Sequence, residues 1–278
     1  MNELQKIEFD MLRMFVSICE KLNLKYYLVC GSALGAVKYG GFIPWDDDID
    51  VALPRDDYEF FVKNASKYLP EHIFLQNYQT DYNYPSLGTK LRNSKTTFIE
   101  VGHSNIKMHH GVFIDIFPLD GFPTSNSEIR KLKKAKKKYI RRIAVRLTYD
   151  RFSKKNIFGL RTNLMYICNC IFGLYSNTHK YVTCCEKSIS KYSLKESNIW
   201  CNHANSPSEK EYANREQYGE GIMMKFEGLN VRIPERYDEY LTQKYGDWRK
   251  DIPKSDQKGH HYYTVCDLSK PYTEYIKN

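Results

Sequence analysis

Asp46, Asp47, Asp48 and Asp50 fall within five residues in the stretch CGSALGAVKYGGFIPWDDDIDVALPR (30–55), and Asp56 follows. Strand side chains alternate between faces, so Asp48 and Asp50 project the same way from IDVAL (49–53), joined by Asp46 if the strand begins early. Trp45 and Ile49 interleave with the acids and draw them toward an apolar interior, where like charges need a counterion. An oxygen-only cluster suits a hard cation such as Mg²⁺ or Mn²⁺. A calcium loop fits less well. Asp46, Asp48, Asp50 and Asp57 match its first, third, fifth and twelfth positions, but Val51 stands where its sharp turn needs glycine.

Two other stretches could complete such a site. Gly31-Ser32 follows the β-prone run KYYLVC (25–30) and opens a helix that Ser32 is expected to cap. Backbone N–H groups and a hydroxyl at that point suit a phosphate. In GVFIDIFPLD (111–120), Ile114 and Ile116 share a core-facing side, which turns Asp115 to the other and makes it the third metal-ligating acid.

The elements that must position these residues follow from periodicity. Ile7, Met11, Met14, Phe15 and Ile18 predict an amphipathic helix over 3–22. A short helix runs from Ser32 to Gly40-Gly41, and RDDYEFFVKNASKYL (55–69) forms another, stopped by Pro70. Strands are expected at 49–53, 73–78, 89–93, 96–100 and 111–117. Beyond about 125 the character turns helical to 195, and 226–248 combines a short strand with a helix after Pro234. The pattern predicts an α+β fold, a small mixed sheet flanked by helices with a mainly helical C-terminal half.

Composition sets the class. The chain has 278 residues, 42% hydrophobic and 27% charged, enough to bury a sizeable core. A formal charge of +9 points to an anionic partner. The first residues do not read as a signal peptide, and no run of about 18 apolar residues appears. The eight cysteines are then expected to be reduced thiols in a cytoplasmic protein.

GSALGAVKYGGFIPWDDDIDVALPRDDYEFF (31–61), GVFIDIFPLD (111–120) and IPERYDEYLTQKYGDW (233–248) together resemble the LicD family. These are phosphocholine transferases of bacterial surface glycans, related to the fukutin-related ribitol-phosphate transferases. The resemblance covers residues 25–120 and about 200–262. It implies a nucleotidyltransferase-like catalytic core at 1–124, a basic helical insertion at 125–200, and a C-terminal segment at 201–278 that completes the domain. Gly31 and Ser32 match the family's phosphate-binding turn, Asp48 and Asp50 its Asp-x-Asp, Asp115 its third acid, and Asp46 a further acid near the metal.

The implied reaction moves a phospho-alcohol, first of all phosphocholine, from CDP-choline or another CDP-alcohol to a hydroxyl of a cell-surface glycan or its lipid-linked precursor. CMP leaves, Mg²⁺ or Mn²⁺ assists, and the acceptor's proton is assigned to Asp115. Lys90 and Arg92, two apart on TKLRN (89–93), would face the donor phosphates. Trp45, beside the acids, is the aromatic best placed for a quaternary ammonium.

Other features carry less. Adjacent strand residues point to opposite faces, so at most one member each of His109-His110 and His260-His261 reaches the acids, and surface or structural roles are expected for both pairs. Cys168, Cys170, Cys184, Cys185 and Cys201 lack paired zinc-ligand spacing and read as buried thiols. RKLKKAKKKYIRR (130–142) holds nine basic residues, with Leu132, Ala135, Tyr139 and Ile143 on one helical stripe. It is either a solvated helix or one that lies on an anionic membrane, into which LMYICNCIFGLY (164–175) could dip. No nucleic-acid partner is expected. The rival readings are a metal-dependent glycosyltransferase that also uses Asp-x-Asp, and a basic membrane- or RNA-binding module with an inactive core.

Overall fold

A computed structural model describes residues 1–104, 106–146, 178–204 and 209–276. Helix α1 (Glu3–Lys21) starts where Asn2 accepts from the Gln5 N–H and the Gln5 side chain accepts from the Asn2 N–H. Its apolar stripe, Met11, Leu12, Phe15 and Ile18, is buried. Gln5 also reaches outward from the helix: its Nε2 donates to the carbonyls of Asp46 (3.0 Å) and Ile43 (3.4 Å), fastening the acidic loop to α1.

The chain then forms β1 (Tyr27–Leu28), α2 (Cys30–Tyr39), β2 (Asp50–Pro54) and α3 (Arg55–Asn64). Next come β3 (Ile73–Gln76), β4 (Thr89–Asn93), β5 (Thr97–Glu100), β6 (Val112–Gly121) and α4 (Asn126–Arg146). After a helix at Thr178–Ile189 follow β7 (Ile199–Cys201), β8 (Tyr212–Asn214), β9 (Ile222–Phe226) and β10 (Leu229–Ile233). A helix at Tyr237–Tyr245 and then β11 (Tyr263–Asp267) follow.

The main sheet runs β1-β2-β6-β4-β3, with β7 and β8 continuing from the far end of β6. Among the described strands only the β2–β6 pair is parallel; the others are antiparallel. Both faces are covered. Val51, Leu53, Ile114 and Ile116 pack with α1 on one side, while Ala52, Phe117 and Leu119 meet Tyr27, Leu34, Tyr218 and Tyr240 on the other. Ile114 and Ile116 thus lie in the core as their alternation requires.

The mixed sheet with flanking helices is an α+β fold, as the pattern predicts. Among the described residues beyond 125, helices occupy Asn126–Arg146 and Thr178–Ile189, but after Ile189 five strands appear beside the shorter helices. One pair, β9–β10, is a hairpin turning at Glu227 (φ 48°) and Gly228 (φ 84°), the left-handed pair that a tight hairpin turn needs. KYYLVC yields only the two residues of β1, and the 55–69 helix ends early in a 3₁₀ turn at Ala65–Lys67.

The stripe on α4 packs inward, Leu132 and Ile143 meeting Val182, Cys185 and Ile189, while Lys133, Lys134, Lys137 and Lys138 face out. Cys168, Cys170 and the 164–175 stretch lie outside the described residues. Among the described residues no helix is long and apolar enough to cross a membrane.

Candidate active site

The site is a row across three strands. Asp50 opens β2 and stands opposite Asp115 in the parallel pair, and Asp115 stands opposite Lys90 in the antiparallel pair with β4. Lys90 Nζ donates to Asp115 Oδ2 at 2.9 Å. Two residues before Asp50, Asp48 turns to the same side, and carboxylate oxygens of Asp48, Asp50 and Asp115 lie within 4.8 Å of one another. The backbone is tied on both sides of Asp50: the Val29 N–H donates to the Asp50 carbonyl (3.1 Å) and the Asp115 N–H to that of Ile49 (2.8 Å).

Burial makes this crowding costly. Asp50 is pushed well above the carboxylate range by burial and then by the charges of Asp48, Asp115 and Asp46. Burial also raises Asp48; Asp115 and Asp47 add to this, while His261 and Lys90 oppose it. Asp46 rises to about 8, again through burial first and Asp48 and Asp47 next. Three hard oxygen donors short of positive charge fit Mg²⁺ or Mn²⁺. Asp46 stands beside this trio, outside its close grouping.

The Gly-Ser turn works differently from its expected form. Val29, not Ser32, precedes the first turn of α2, and it makes no side-chain cap. The Ser32 hydroxyl is engaged by the Asp50 N–H, which donates to it at 2.8 Å. Ser32 therefore fixes the start of β2, since a side chain one turn into a helix can reach the neighbouring strand. Gly31 is needed for closeness: a Cβ there would come within 2.9 Å of Asp46 Oδ2. Cys30 carries the kink into the helix at φ 53°, a left-handed conformation that costs a non-glycine residue about 1–2 kcal/mol. Such strain concentrates at functional sites.

Lys90 and Arg92 do share a side, both lying over the Phe113 ring at 3.2 and 4.7 Å. Only Lys90 meets the acids. Arg92 is fully buried, donating to Gln76 (2.5 Å), the Gly111 carbonyl (2.8 Å) and Glu100 (3.2 Å). Each of its three nitrogens has a structural partner and the side chain has no open surface, which corrects its assignment to phosphate. Trp45 is half-buried and meets Tyr39 edge-on at 6.3 Å.

The histidine pairs separate. His109 stacks on Phe74, and His110 bonds the Ile106 carbonyl at 2.9 Å; burial lowers them to about 3 and about 4. His260 is exposed, but the His261 ring lies 3.2 Å from Asp47 and 3.8 Å from Asp48. Burial opposes its charge, yet the Asp47 hydrogen bond and the Asp48 charge push it up to about 9. Asp47 is held below its ordinary value despite burial, by the His261 ring and the N–H groups of His260 and His261. Position in the chain gives no sign of this meeting.

Glu8 escapes the sequence pattern for a different reason. It sits in the apolar stripe of α1, at helical spacing from Met11, Leu12 and Phe15, where a carboxylate is out of place. It is 2% exposed with Oε2 unpartnered, and burial, then the charges of Asp48, Asp47, Asp46 and Asp115, raise it far.

Comparison with known proteins adds an independent line. The profile of the LicD/FKTN/FKRP nucleotidyltransferase domain matches residues 23–162. The chain is 30% identical over 268 residues to the lipopolysaccharide cholinephosphotransferase LicD of Haemophilus influenzae, covering 94% of this chain and 96% of that one. It is 40% identical to the human ribitol 5-phosphate transferase FKRP over 45 residues, 16% of this chain and 9% of that one. An uncharacterized Rickettsia prowazekii protein matches at 26% over 119 residues, 42% of this chain and 41% of that one.

Proposed function

The chain belongs to the LicD family of phosphotransferases, and from that premise we propose that it moves a phospho-alcohol from a CDP-linked donor to a hydroxyl of a cell-surface glycan or its lipid-linked precursor, releasing CMP. The observation that carries this reading is the row Asp50–Asp115–Lys90 with Asp48 drawn into it. Phosphocholine is the first candidate for the transferred group, because the relative aligned along nearly the whole chain is named a cholinephosphotransferase.

Asp48, Asp50 and Asp115, with Asp46 beside them, would hold Mg²⁺ or Mn²⁺. The ion would neutralise the donor diphosphate. The protein's own groups do the rest. First-turn N–H groups of α2 at Gly31 and Ser32 have no intrahelical acceptors and favour an anion. Lys90 places a cation at the same end of the sheet. Asp115 has one oxygen engaged by Lys90, and its carboxylate would take the acceptor hydroxyl's proton as the hydroxyl oxygen bonds to phosphorus and the phosphorus–oxygen bond to CMP breaks. Trp45 offers a ring to a quaternary ammonium. The enzyme works at the cytoplasmic face, with the outward lysines of α4 against anionic lipid.

Purified protein with Mg²⁺ should release CMP from CDP-choline, and faster with a glycan acceptor than with water. CDP-ribitol and CDP-glycerol compared at equal concentration identify the alcohol. Turnover of a nucleotide-sugar and of no CDP-alcohol would replace this reading with glycosyl transfer.

A further inference from the structure

Residues 259–262 form a strap that passes beside the acids and leads into β11. Asp47 pins it: its oxygens accept the backbone N–H groups of His260 and His261, each at 3.0 Å. Gly259 lets the strap come this close, since a Cβ there would collide with Asp47 Oδ2. One residue further on, the Val101 N–H donates to the Tyr262 carbonyl at 2.9 Å, and β11 then pairs with β5. The strap is held at both ends, so the side chains that follow it have fixed places.

These side chains continue an unbroken path of rings from the acids to the surface. Lys90, bonded to Asp115, lies over Phe113. Phe113 meets Phe98 edge-on at 5.7 Å, and Phe98 meets Tyr263 at 5.2 Å. The His261 ring, 3.8 Å from Asp48, touches both Phe113 and Phe98, so Tyr263 lies on the side of the strap that faces the acids. Phe98 and Phe113 are buried, whereas Tyr263 is 53% exposed. Its ring is tilted 55° to Phe98 rather than stacked on it, which leaves ring surface open to water. Its hydroxyl has no hydrogen-bond partner among the described residues.

An exposed tyrosine is an ordinary surface residue unless its position says more. This one ends a packed path whose other end is the row where an acceptor hydroxyl must be activated. A sugar ring presents C–H groups that lie flat on an aromatic face, and rim hydroxyls that a phenol can bond. We propose that Tyr263 is a specificity-determining residue that seats a sugar ring of the acceptor beside the carboxylates. The inference rests on the proposed phosphotransfer reading for the presence of a glycan acceptor. Tyr262 supplies the contrast: it is more exposed than Tyr263, yet among the described residues its ring meets none of the rings on this path.

Transfer from CDP-choline to the lipid-free oligosaccharide released from lipopolysaccharide, with the full chain in saturating Mg²⁺, tests it. Tyr263→Ala and Tyr263→Leu should raise the KM for oligosaccharide about tenfold, the scale of one aromatic contact, with kcat and the KM for CDP-choline moving less than about twofold. Tyr263→Phe and Tyr263→Trp keep a ring and should stay within about threefold of wild type. Tyr262→Ala should leave the oligosaccharide KM where it is. Calorimetric titration with the same oligosaccharide should rank the variants in the same order without turnover. An unchanged KM in Tyr263→Ala, an equal rise in Tyr262→Ala, or a Leu variant that matches Phe would overturn the proposal. So would weaker binding of Tyr263→Ala to phosphatidylglycerol vesicles with the oligosaccharide KM intact, which would make the ring a lipid contact. A wild type that hydrolyses CDP-choline but binds no oligosaccharide would overturn it as well. Failure of the broader reading looks different: the wild type would release no CMP from CDP-choline, with or without the oligosaccharide.

Discussion

Strand β6 carries two buried aspartates, Asp115 and Asp120, and their surroundings differ in kind. Both oxygens of Asp120 receive the guanidinium of Arg55, Nε at 2.7 Å and Nη2 at 2.6 Å, and the remaining Nη1 donates to Glu186 at 2.5 Å. Burial raises Glu186 and Arg55 counters it, so the interior charge is met by a planar partner within hydrogen-bond reach. At Asp115 a single lysine serves a carboxylate that also faces Asp48 and Asp50. Buried acids that hold a fold together are given cations of their own. Those left crowded and short of positive charge mark a candidate functional site.

The comparison breaks if the two ends respond alike to mutation. Asp48→Ala or Asp50→Ala should lower turnover on the order of a thousandfold or more, the several kcal/mol of a lost metal clamp. Each should leave the melting temperature of the metal-free protein unchanged or higher, because repulsion is relieved. A variant keeping a tenth of wild-type rate would end the metal assignment. Arg55→Ala should do the reverse, costing about 3–5 kcal/mol of stability by stranding Asp120 and Glu186, with turnover per folded molecule preserved. Urea denaturation paired with active-site titration reads both quantities.

Two smaller effects sharpen the contrast. The outward lysines of α4 are exposed charge of the other sign. Replacing Lys133, Lys134, Lys137 and Lys138 with Gln should release the protein from anionic vesicles, at about 1 kcal/mol for each residue near the surface at low salt. Turnover of a soluble acceptor should not change. Equal sedimentation of both proteins would leave α4 a solvated helix.

The smallest effect is on pH. Asp46, at about 8 in the fold, is above its unfolded value, so its contribution is present at low pH and is lost as pH rises through 8. His109, His110 and His203, at about 3, 4 and 3, lie below theirs, so their contribution is present above about 6.5 and is lost on acidification. Metal-free protein should therefore melt lower at pH 8.5 than at pH 6.5, by roughly 2–4 °C per kcal/mol. Mg²⁺ should flatten that alkaline limb. A melting temperature that climbs across this range without metal would contradict the crowding of the acids.

Much of the site is legible in the sequence because its grammar is local. Period-two alternation places Asp48 with Asp50 and turns Asp115 from the core, and the same rule puts Lys90 and Arg92 on one side. Alternation does not report depth, so it cannot tell that Arg92 is consumed by Gln76, Gly111 and Glu100. Nor does it report distant partners. His261 reaches Asp47 only because β11 pairs with β5. The strands β7 and β8 have three residues each, too few for any period to register, and β9 is recognisable only with its left-handed turn. Glu8 is visible as a carboxylate in an apolar stripe and needs only to be taken as an anomaly.

The parallel alignment of Asp50 with Asp115 has a consequence for how the chain is born. At ordinary translation speeds β2 is made roughly 3–13 s before the strand that completes its row. Until then the acids lie on an open loop in water, where their repulsion is inexpensive and keeps that stretch from collapsing too early. The three carboxylates cannot come together in a half-made molecule. The strap bearing His261 follows β6 in the chain, so the acidic row can assemble before the strap closes beside it.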